Sequence, residues 1–247
     1  MCIRDRYSGQ PLTMYSTDGV NWNYATVSGY TGSSAAFYGI IWTGSLFVAA
    51  GTTGGAYIAT SPDGITWTTR YTATSGSTVN DLASNGSGTI IAVGPANSGS
   101  GSTAAFKSTD GGLTWSAVTL TIAAKSICYS NNLWVASGGS YGIYYSSDGT
   151  TWTQATYNNT PSQPANKIRY INGKFYAVGN NGSSPNYTQI FYSSNGMSWT
   201  QITPYLSSPY VGYISVYDIV YAFNKYIIVT NYGTWSSTDG IAFTLLD

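Results

Sequence analysis

The most regular feature of the chain is a short apolar run, rich in β-branched and aromatic residues, that recurs five times. The runs occupy 46–51, 89–94, 133–138, 174–179 and 225–230. Each follows another short apolar run and a tight turn such as Asn172-Gly173, whose residues tolerate positive φ angles. Short runs of this kind, bounded by turn residues, predict buried β-strands.

A polar phrase, Ser-x-Asp-Gly-x-x-Trp, follows each of these runs and also occurs once before them. Its aspartates, with Asn195 in the fifth copy, are spaced 45, 47, 38, 47 and 44 residues apart. A period of this length indicates a propeller or a solenoid. Each repeat reads as four strands: A before the turn, B in the apolar run, C into the phrase and D out of it. Four antiparallel strands per repeat predict the blades of an all-β propeller.

The phrase itself has a structural explanation. An aspartate in a tight turn accepts hydrogen bonds from backbone N–H groups two or three residues further on, while glycine takes the left-handed conformation. The aromatic residue that follows is expected to pack against the neighbouring blade. These structural positions are Asp18, Trp22, Asp63, Trp67, Asp110, Trp115, Asp148, Trp152, Asn195, Trp199, Asp239 and Phe243.

With its upstream strand, the phrase resembles the Asp-box repeat (bacterial neuraminidase repeat, BNR) over residues 7–247. The resemblance implies a sialidase-like β-propeller scaffold, closest in style to secreted bacterial and phage structural repeat proteins. Sialidases of this superfamily use an arginine triad and a tyrosine nucleophile paired with glutamate. Beyond residues 1–6 the chain has only Arg70 and Arg169, and it contains no glutamate. The resemblance therefore implies the scaffold without the sialidase active site.

The N-terminus differs from the repeats. Residues 1–6 carry three charges, whereas the 247-residue chain is only 7% charged. We expect them to be a non-native or disordered segment, followed by a single propeller domain at 7–247. Residues 12–27 supply strands C and D alone, and five complete blades follow. The sequence favours six blades with a truncated first blade, and a larger parent ring is the alternative.

Composition narrows the possible functions. The formal net charge is zero and histidine is absent, so no basic surface for nucleic acid and few groups for acid–base or metal chemistry are expected. We therefore predict no cofactor and no metal site. We also predict no membrane insertion, since no apolar run reaches about 18 residues. A surface made of Ser, Thr, Asn, Gly and Tyr is typical of an extracellular or virion-surface protein.

The loops indicate where recognition takes place. The D–A intervals vary from 12 to 20 residues and the B–C intervals from 9 to 16, whereas the A–B intervals are 7 or 8. Loops that vary on a rigid scaffold usually carry binding, and Tyr among Ser, Gly and Asn suits a contact surface. The alternative is a purely structural role, in which the tyrosines only cover loop backbone and blade edges. The candidate binding residues are Tyr30, Tyr71, Asp81, Tyr141, Tyr157, Arg169, Tyr187, Tyr210, Tyr213 and Asp218.

The sequence thus predicts a non-catalytic module that binds a glycan or a protein. Asp81 and Asp218, just before inner strands, leave three roles open: glycoside hydrolysis, cation contact or capping of loops. Two alternatives follow for the whole protein. One is a sialidase-like or other glycoside hydrolase. The other is an assembly or scaffold factor similar to photosystem II assembly proteins.

Overall fold

Every regular element of the described chain is a β-strand. The computed structural model describes residues 2–7, 10–28, 36–52, 55–73, 78–96, 103–118, 122–138, 142–159, 161, 165–180, 189–202 and 214–246. They divide into two compact units, Met1–Ala124 and Lys125–Asp247. A search of the described residues finds no helix with the length and apolarity needed to span a membrane.

Three sheets lie in the first unit. Sheet 1 has three strands: β1 (Cys2–Tyr7), β2 (Gln10–Tyr15) and β3 (Asn23–Tyr24). Sheet 2 has five: β4 (Thr26–Ser28), β5 (Ala36–Trp42), β6 (Phe47–Thr52), β7 (Ala56–Ser61) and β8 (Thr66–Thr72). Sheet 3 has four: β9 (Asp81–Ser84), β10 (Ile90–Ala96), β11 (Thr103–Ser108) and β12 (Ser116–Val118).

The other three sheets follow, and the first strand of sheet 4 begins at the unit boundary. Sheet 4 contains β13 (Ala124–Ser130), β14 (Leu133–Gly138), β15 (Gly142–Ser146) and β16 (Thr153–Gln154). Sheet 5 contains β17 (Thr156–Tyr157), β18 (Ala165–Ile171), β19 (Lys174–Gly179), β20 (Gln189–Ser193) and β21 (Ser198–Ile202). Sheet 6 contains β22 (Val216–Ala222), β23 (Lys225–Thr230), β24 (Gly233–Ser237) and β25 (Thr244–Leu245).

The predicted A–B–C–D order is confirmed in sheets 2 to 6. The five apolar runs form β6, β10, β14, β19 and β23, each a B strand between its A and C neighbours. The tight turns also have the expected backbone: Asn172 and Gly173 have φ angles of +47° and +81°. Local turn chemistry and strand composition therefore specify each sheet.

The N-terminal segment forms a strand, and the expectation that it is not native to the fold stays a prediction. Cys2–Tyr7 forms β1, paired antiparallel with β2 so that Cys2 lies opposite Tyr15 and Tyr7 opposite Gln10. Sheet 1 therefore has a strand at the B position besides C and D. Pairing along a strand edge requires only extended backbone, so the charges at 1–6 do not prevent it.

Two connecting segments form straps that the sequence analysis did not predict. Leaving sheet 1, β4 pairs in parallel with β8 of sheet 2, and leaving sheet 4, β17 pairs in parallel with β21 of sheet 5. Backbone bonds extend both pairings: Thr26 N–H to Ile65 O at 2.8 Å and Thr156 N–H to Met197 O at 2.9 Å. Each strap ties one sheet to the next through its outermost strand.

The sheets pack face to face within each unit. We call the face of a sheet that contacts the preceding sheet its trailing face, and the opposite one its leading face. Tyr176 and Val178 on the leading face of sheet 5 share a buried cluster with Ile228 and Trp235 on the trailing face of sheet 6. The same alternation joins sheet 4 to sheet 5 and sheet 2 to sheet 3. Alternate strand residues therefore belong to different interfaces between sheets.

Candidate functional site

The repeated phrase forms the C–D turn of each sheet, here called the Ser-Asp-Gly turn. In the second copy, Asp63 Oδ1 accepts hydrogen bonds from Ile65 N–H and Thr66 N–H at 2.8 and 2.9 Å. Ser61 Oγ donates to the same carboxylate at 2.8 Å and accepts from Gly64 N–H at 2.8 Å. The serine, whose role the sequence analysis did not assign, connects both halves of the turn.

The other copies repeat this geometry. The side-chain oxygens of Asp18, Asp110, Asp148, Asn195 and Asp239 accept the corresponding backbone bonds. These bonds lower the pKa of the carboxylates below its ordinary value of 3.8, with the Thr151 N–H as the largest cause at Asp148 and the Thr66 N–H at Asp63. The carboxylates are therefore anionic at neutral pH and are directed into their own turns.

The aromatic residue of the phrase closes the turn. Trp67 Nε1 donates to Gly64 O at 3.1 Å, and Trp199 Nε1 donates to Gly196 O at 3.0 Å. Trp115 makes the same bond, and Phe243, which has no such donor, is buried. Trp22, Trp115 and Trp152 are only half-buried. The aromatic residue thus acts within the scaffold.

Five of the ten candidate binding residues lie outside the described residues: Tyr30, Tyr141, Tyr187, Tyr210 and Tyr213. Two other candidate tyrosines are used in packing. Tyr71 lies 4.7 Å from Phe106, measured between ring centroids, and so joins sheets 2 and 3. The Tyr157 hydroxyl donates to Ile143 O at 3.0 Å and accepts from Ile143 N–H at 2.5 Å, while burial raises its pKa. At these two positions the geometry fits the structural alternative, in which the tyrosines cover backbone.

Two of the three charged candidates pair with each other, and the third is buried elsewhere. Arg169 on β18 forms a two-pronged ion pair with Asp218 on β22, with Nε to Oδ1 at 3.0 Å and Nη2 to Oδ2 at 2.8 Å. Their side chains are 42% and 34% exposed. Asp218 Oδ1 also accepts from Ile219 N–H at 2.8 Å. Asp81 is buried at the start of β9. Asp218 is therefore held by arginine and backbone, which suits positioning of two inner strands rather than base catalysis.

Asparagines that the sequence analysis missed also connect inner strands. Asn80 Nδ2 donates to Ala124 O at 3.2 Å, and Asn166 Nδ2 donates to Val216 O at 3.1 Å. Asn166 is the additional residue of a bulge between Ala165 and Lys167. Both asparagines stand at the same place in their repeats, directly before an equivalent position of the inner strand. A comparison of the repeats would therefore have identified them.

The A–B turns carry a second missed feature, a repeated pair of aromatic rings. The pairs Trp42–Phe47, Tyr129–Trp134, Tyr170–Phe175 and Tyr221–Tyr226 have ring centroids 4.6, 4.6, 4.8 and 5.0 Å apart. Next to the last pair, Phe223 is 94% exposed and has a φ of +52°. Trp42, Tyr221 and Phe223 therefore form exposed aromatic surface at the A–B turns as well.

Among the described residues, sheets 4 and 5 enclose a small cavity. A cavity of about 10 Å³ lies between sheets 4 and 5, lined by Ile143, Pro161, Ala165, Gln189 and Phe191 among others. That volume holds about one water molecule. Within the described ranges there is no group of three or more Cys, Asp, Glu or His residues placed to hold a metal ion. Cys128 on β13 is half-buried.

Comparisons with solved structures identify the architecture. YCF48 bound to a D1 peptide superposes with a TM-score of 0.66 over 96% of this chain and 75% of that chain, at 17% sequence identity. The fold is a β-propeller.

Other propellers are similar to a lesser degree. The GH74 xyloglucanase from Xanthomonas campestris has a TM-score of 0.57 at 12% identity, covering 83% of this chain and 36% of that enzyme. The WD40 propeller domain of Doa1 has a TM-score of 0.54 at 10% identity, covering 84% and 67%. No protein-family model and no curated protein matches the sequence. At these identities the similarity establishes the propeller fold alone.

Proposed function

We propose that this propeller is a non-catalytic binding module of the Asp-box type, displayed outside a cell or on a virus particle. Its partner is a protein or a glycan, recognised by the D–A and B–C loops. The observation that carries the proposal is that the Ser-Asp-Gly carboxylates and Asp218 serve the scaffold. The Ser-Asp-Gly carboxylates accept bonds from their own turns, and Asp218 is held by Arg169.

Protein recognition is the form of the proposal that the comparisons favour. YCF48 has a similar fold and was solved with a D1 peptide. A rigid array of sheets that presents loops of variable length provides the same kind of platform. The second candidate function of this chain is therefore that of a factor in the assembly of a larger complex. Binding of the D1 peptide tests this function directly.

The test separates binding from turnover. The chain, labelled with a fluorophore, is applied to a glycan array and to a peptide array that includes the D1 peptide, and hydrolysis of xyloglucan and sialosides is assayed in parallel. We expect saturable binding without product release. Tyr210→Ala combined with Tyr213→Ala should weaken binding and leave the melting temperature unchanged.

The outcomes distinguish the alternatives. Binding to the D1 peptide alone selects the assembly role, and binding to one glycan class selects carbohydrate recognition. Turnover that disappears in Asp81→Asn or Asp218→Asn, with the fold intact by circular dichroism, would show a glycoside hydrolase and refute the proposal. Unchanged affinity in the double tyrosine variant would exclude the loop face as the binding surface.

A further inference from the structure

The A–B turns of sheets 4, 5 and 6 have the same two-residue backbone, and one of them carries a side chain that does not suit it. Both residues of each turn have a positive φ, which asparagine and glycine tolerate well. The turn residues are Asn131 and Asn132, Asn172 and Gly173, and Phe223 and Asn224. Among the described residues, every other residue with a positive φ is an asparagine or a glycine. Phe223 is therefore the exception, and its backbone is strained.

The strain at Phe223 is not offset by packing of its ring. The residue has a φ of +52°, yet its side chain is 94% exposed. The corresponding turns of sheets 4 and 5 have asparagine at this position, which would relieve the strain. A strained residue that adds nothing to a core indicates a function other than folding.

Hydrogen bonds place the three turns side by side. The Tyr170 hydroxyl of sheet 5 donates to Asn131 Oδ1 in the turn of sheet 4 at 3.1 Å. Asn172 Nδ2 in the turn of sheet 5 donates to the Tyr226 hydroxyl of sheet 6 at 3.4 Å. The Tyr226 ring in turn contacts the Tyr221 ring, which precedes the turn of sheet 6. The resulting A–B turn surface consists of Asn131, Asn132, Tyr170, Asn172, Tyr221 and Phe223.

This surface combines aromatic rings with neutral amide groups. Its residues belong to the unit Lys125–Asp247, and the asparagines are exposed. The two bonds between sheets use Asn131 Oδ1 and Asn172 Nδ2, which leaves the other half of each amide directed to a ligand. The turns contain two lysines, at 174 and 225, and no carboxylate. The surface therefore suits a neutral ligand that has both an apolar face and many hydroxyl groups.

We propose that the A–B turn surface binds a carbohydrate chain, with a pyranose ring stacked on Phe223. The C–H face of a pyranose carries a partial positive charge and fits the negative face of an aromatic ring. Its hydroxyl groups both donate and accept, so they match the amides of Asn131 and Asn172. Three equivalent turns in a row fit a ligand that is itself a repeating polymer. This site is separate from the D–A and B–C loops to which the proposed function assigns recognition.

The surroundings of Phe223 favour carbohydrate over a lipid surface or a protein. Attachment to an anionic membrane requires a cluster of basic residues beside the apolar group. The turns supply Lys225 and Lys174, and Lys174 Nζ lies 5.2 Å from the centroid of the Tyr192 ring. A protein interface surrounds its aromatic anchor with further apolar side chains, whereas the next residue here is the exposed Asn224.

Affinity electrophoresis of the 247-residue chain tests the proposal. The gels contain xyloglucan, mixed-linkage β-glucan, galactomannan or the acidic polygalacturonate, and calorimetry gives the dissociation constant for the polysaccharide that retards the chain most. We expect retardation by a neutral polysaccharide. Phe223→Asn should weaken binding by about 10-fold or more, and Phe223→Tyr should preserve it. Tyr217→Asn is the matched control, because Tyr217 is 54% exposed at the opposite end of β22.

Two properties of the variants separate binding from folding. Phe223→Asn removes the ring and relieves the backbone strain, so this variant should melt at a higher temperature while binding less well. Asn131→Gly and Asn172→Gly keep the positive φ and remove the amide. Each should weaken binding by about 3-fold to 10-fold, the usual effect of losing one hydrogen bond.

The outcomes also distinguish this proposal from the proposed function. Binding that is lost in Phe223→Asn and kept in the Tyr210→Ala, Tyr213→Ala chain supports the A–B turn surface, whatever the loops bind. The reverse result assigns carbohydrate to the loops and overturns the present proposal. So does a lowered melting temperature in Phe223→Asn, which would show that the protein itself covers the ring.

Three further results overturn the proposal. The first is the absence of retardation by all four polysaccharides. The second is binding to phosphatidylcholine vesicles, without polysaccharide binding, that disappears in Phe223→Asn and identifies a lipid contact. The third is binding of the D1 peptide, again without polysaccharide binding, that disappears in the same variant and identifies a protein contact.

Discussion

Two glycines of sheet 5 allow backbone strain and packing to be measured separately. Gly173 and Gly196 have nearly equal φ angles of +81° and +75°. A Cβ on Gly173 would meet no atom within 4 Å, whereas one on Gly196 would lie 2.8 Å from Leu133 Cδ2 and 3.0 Å from Val135 Cγ2. Alanine at either position must adopt a left-handed conformation, which costs about 1–2 kcal/mol. Only alanine at 196 also collides with the preceding sheet.

The magnitude of the second effect follows from the neighbours. Leu133 and Val135 belong to the buried cluster between sheets 4 and 5, and Val135 has a stiff, β-branched side chain. Excess volume in a packed core costs about 1–3 kcal/mol. We therefore expect Gly173→Ala to lower the free energy of unfolding by about 1 kcal/mol and Gly196→Ala to lower it by about 3 kcal/mol.

Urea denaturation followed by tryptophan fluorescence measures both values. Both positions lie in the same sheet, so the same unit is perturbed and the slopes of the two transitions should agree. The loss in the double variant Leu133→Ala with Gly196→Ala should be smaller than the sum of the two single losses, since truncation makes room for the added methyl group. Equal losses in the two single variants, or strict additivity in the double variant, would refute the packing argument.

Three further predictions concern two turns and a strap. The pKa of Asp148 is lowered in the folded state, so its stabilisation is complete above the ordinary aspartate value of 3.8 and is lost as the pH falls below it. Asp148→Asn should therefore reduce the fall in melting temperature between about pH 5 and pH 2. Tyr157→Phe should lower the free energy of unfolding by about 1–2 kcal/mol in urea, because Ile143 loses a partner for its N–H and C=O groups. Phe223→Asn should raise it by about 1 kcal/mol, since asparagine tolerates φ > 0 better than a bulky residue.

Each of these has an internal comparison. The turn at Asn195 has no carboxylate, so an Asn195→Ala chain should keep the full acid dependence. Tyr170→Phe, which removes an exposed hydroxyl bond to Asn131, should have a smaller effect than Tyr157→Phe. Asn172→Phe should destabilise its turn as Phe223→Asn stabilises the corresponding one. An acid profile unchanged in Asp148→Asn, or a destabilised Phe223→Asn chain, would contradict the physical reasoning.

Local chemistry made the strands and turns predictable. The run 174–179 forms β19, and Gly196 takes the left-handed conformation. Residues close in the sequence determine the strand and the turn conformation alike. The straps were not predictable because β4 and β17 are three and two residues long and have no apolar alternation. Their pairing depends on where the next sheet lies.

The partners of the candidate site residues were less predictable for a similar reason. Arg169 and Asp218 were both identified, but their pairing joins residues 49 apart and depends on how two inner strands approach. The packing of Tyr71 and Tyr157 was not predictable because sequence gives exposure poorly for tyrosine, which is half apolar, and their part in binding stays a prediction. Sequence therefore located the charged positions and missed their partners.

The straps have a consequence for how the protein opens. A sheet that is held only by side-chain packing can separate from its neighbour while keeping its own hydrogen bonds. Where β4 or β17 adds a ladder to the outermost strand of the next sheet, separation also breaks backbone bonds. Amide hydrogen exchange should therefore show sheets 4 and 5 losing protection together, as one cooperative segment.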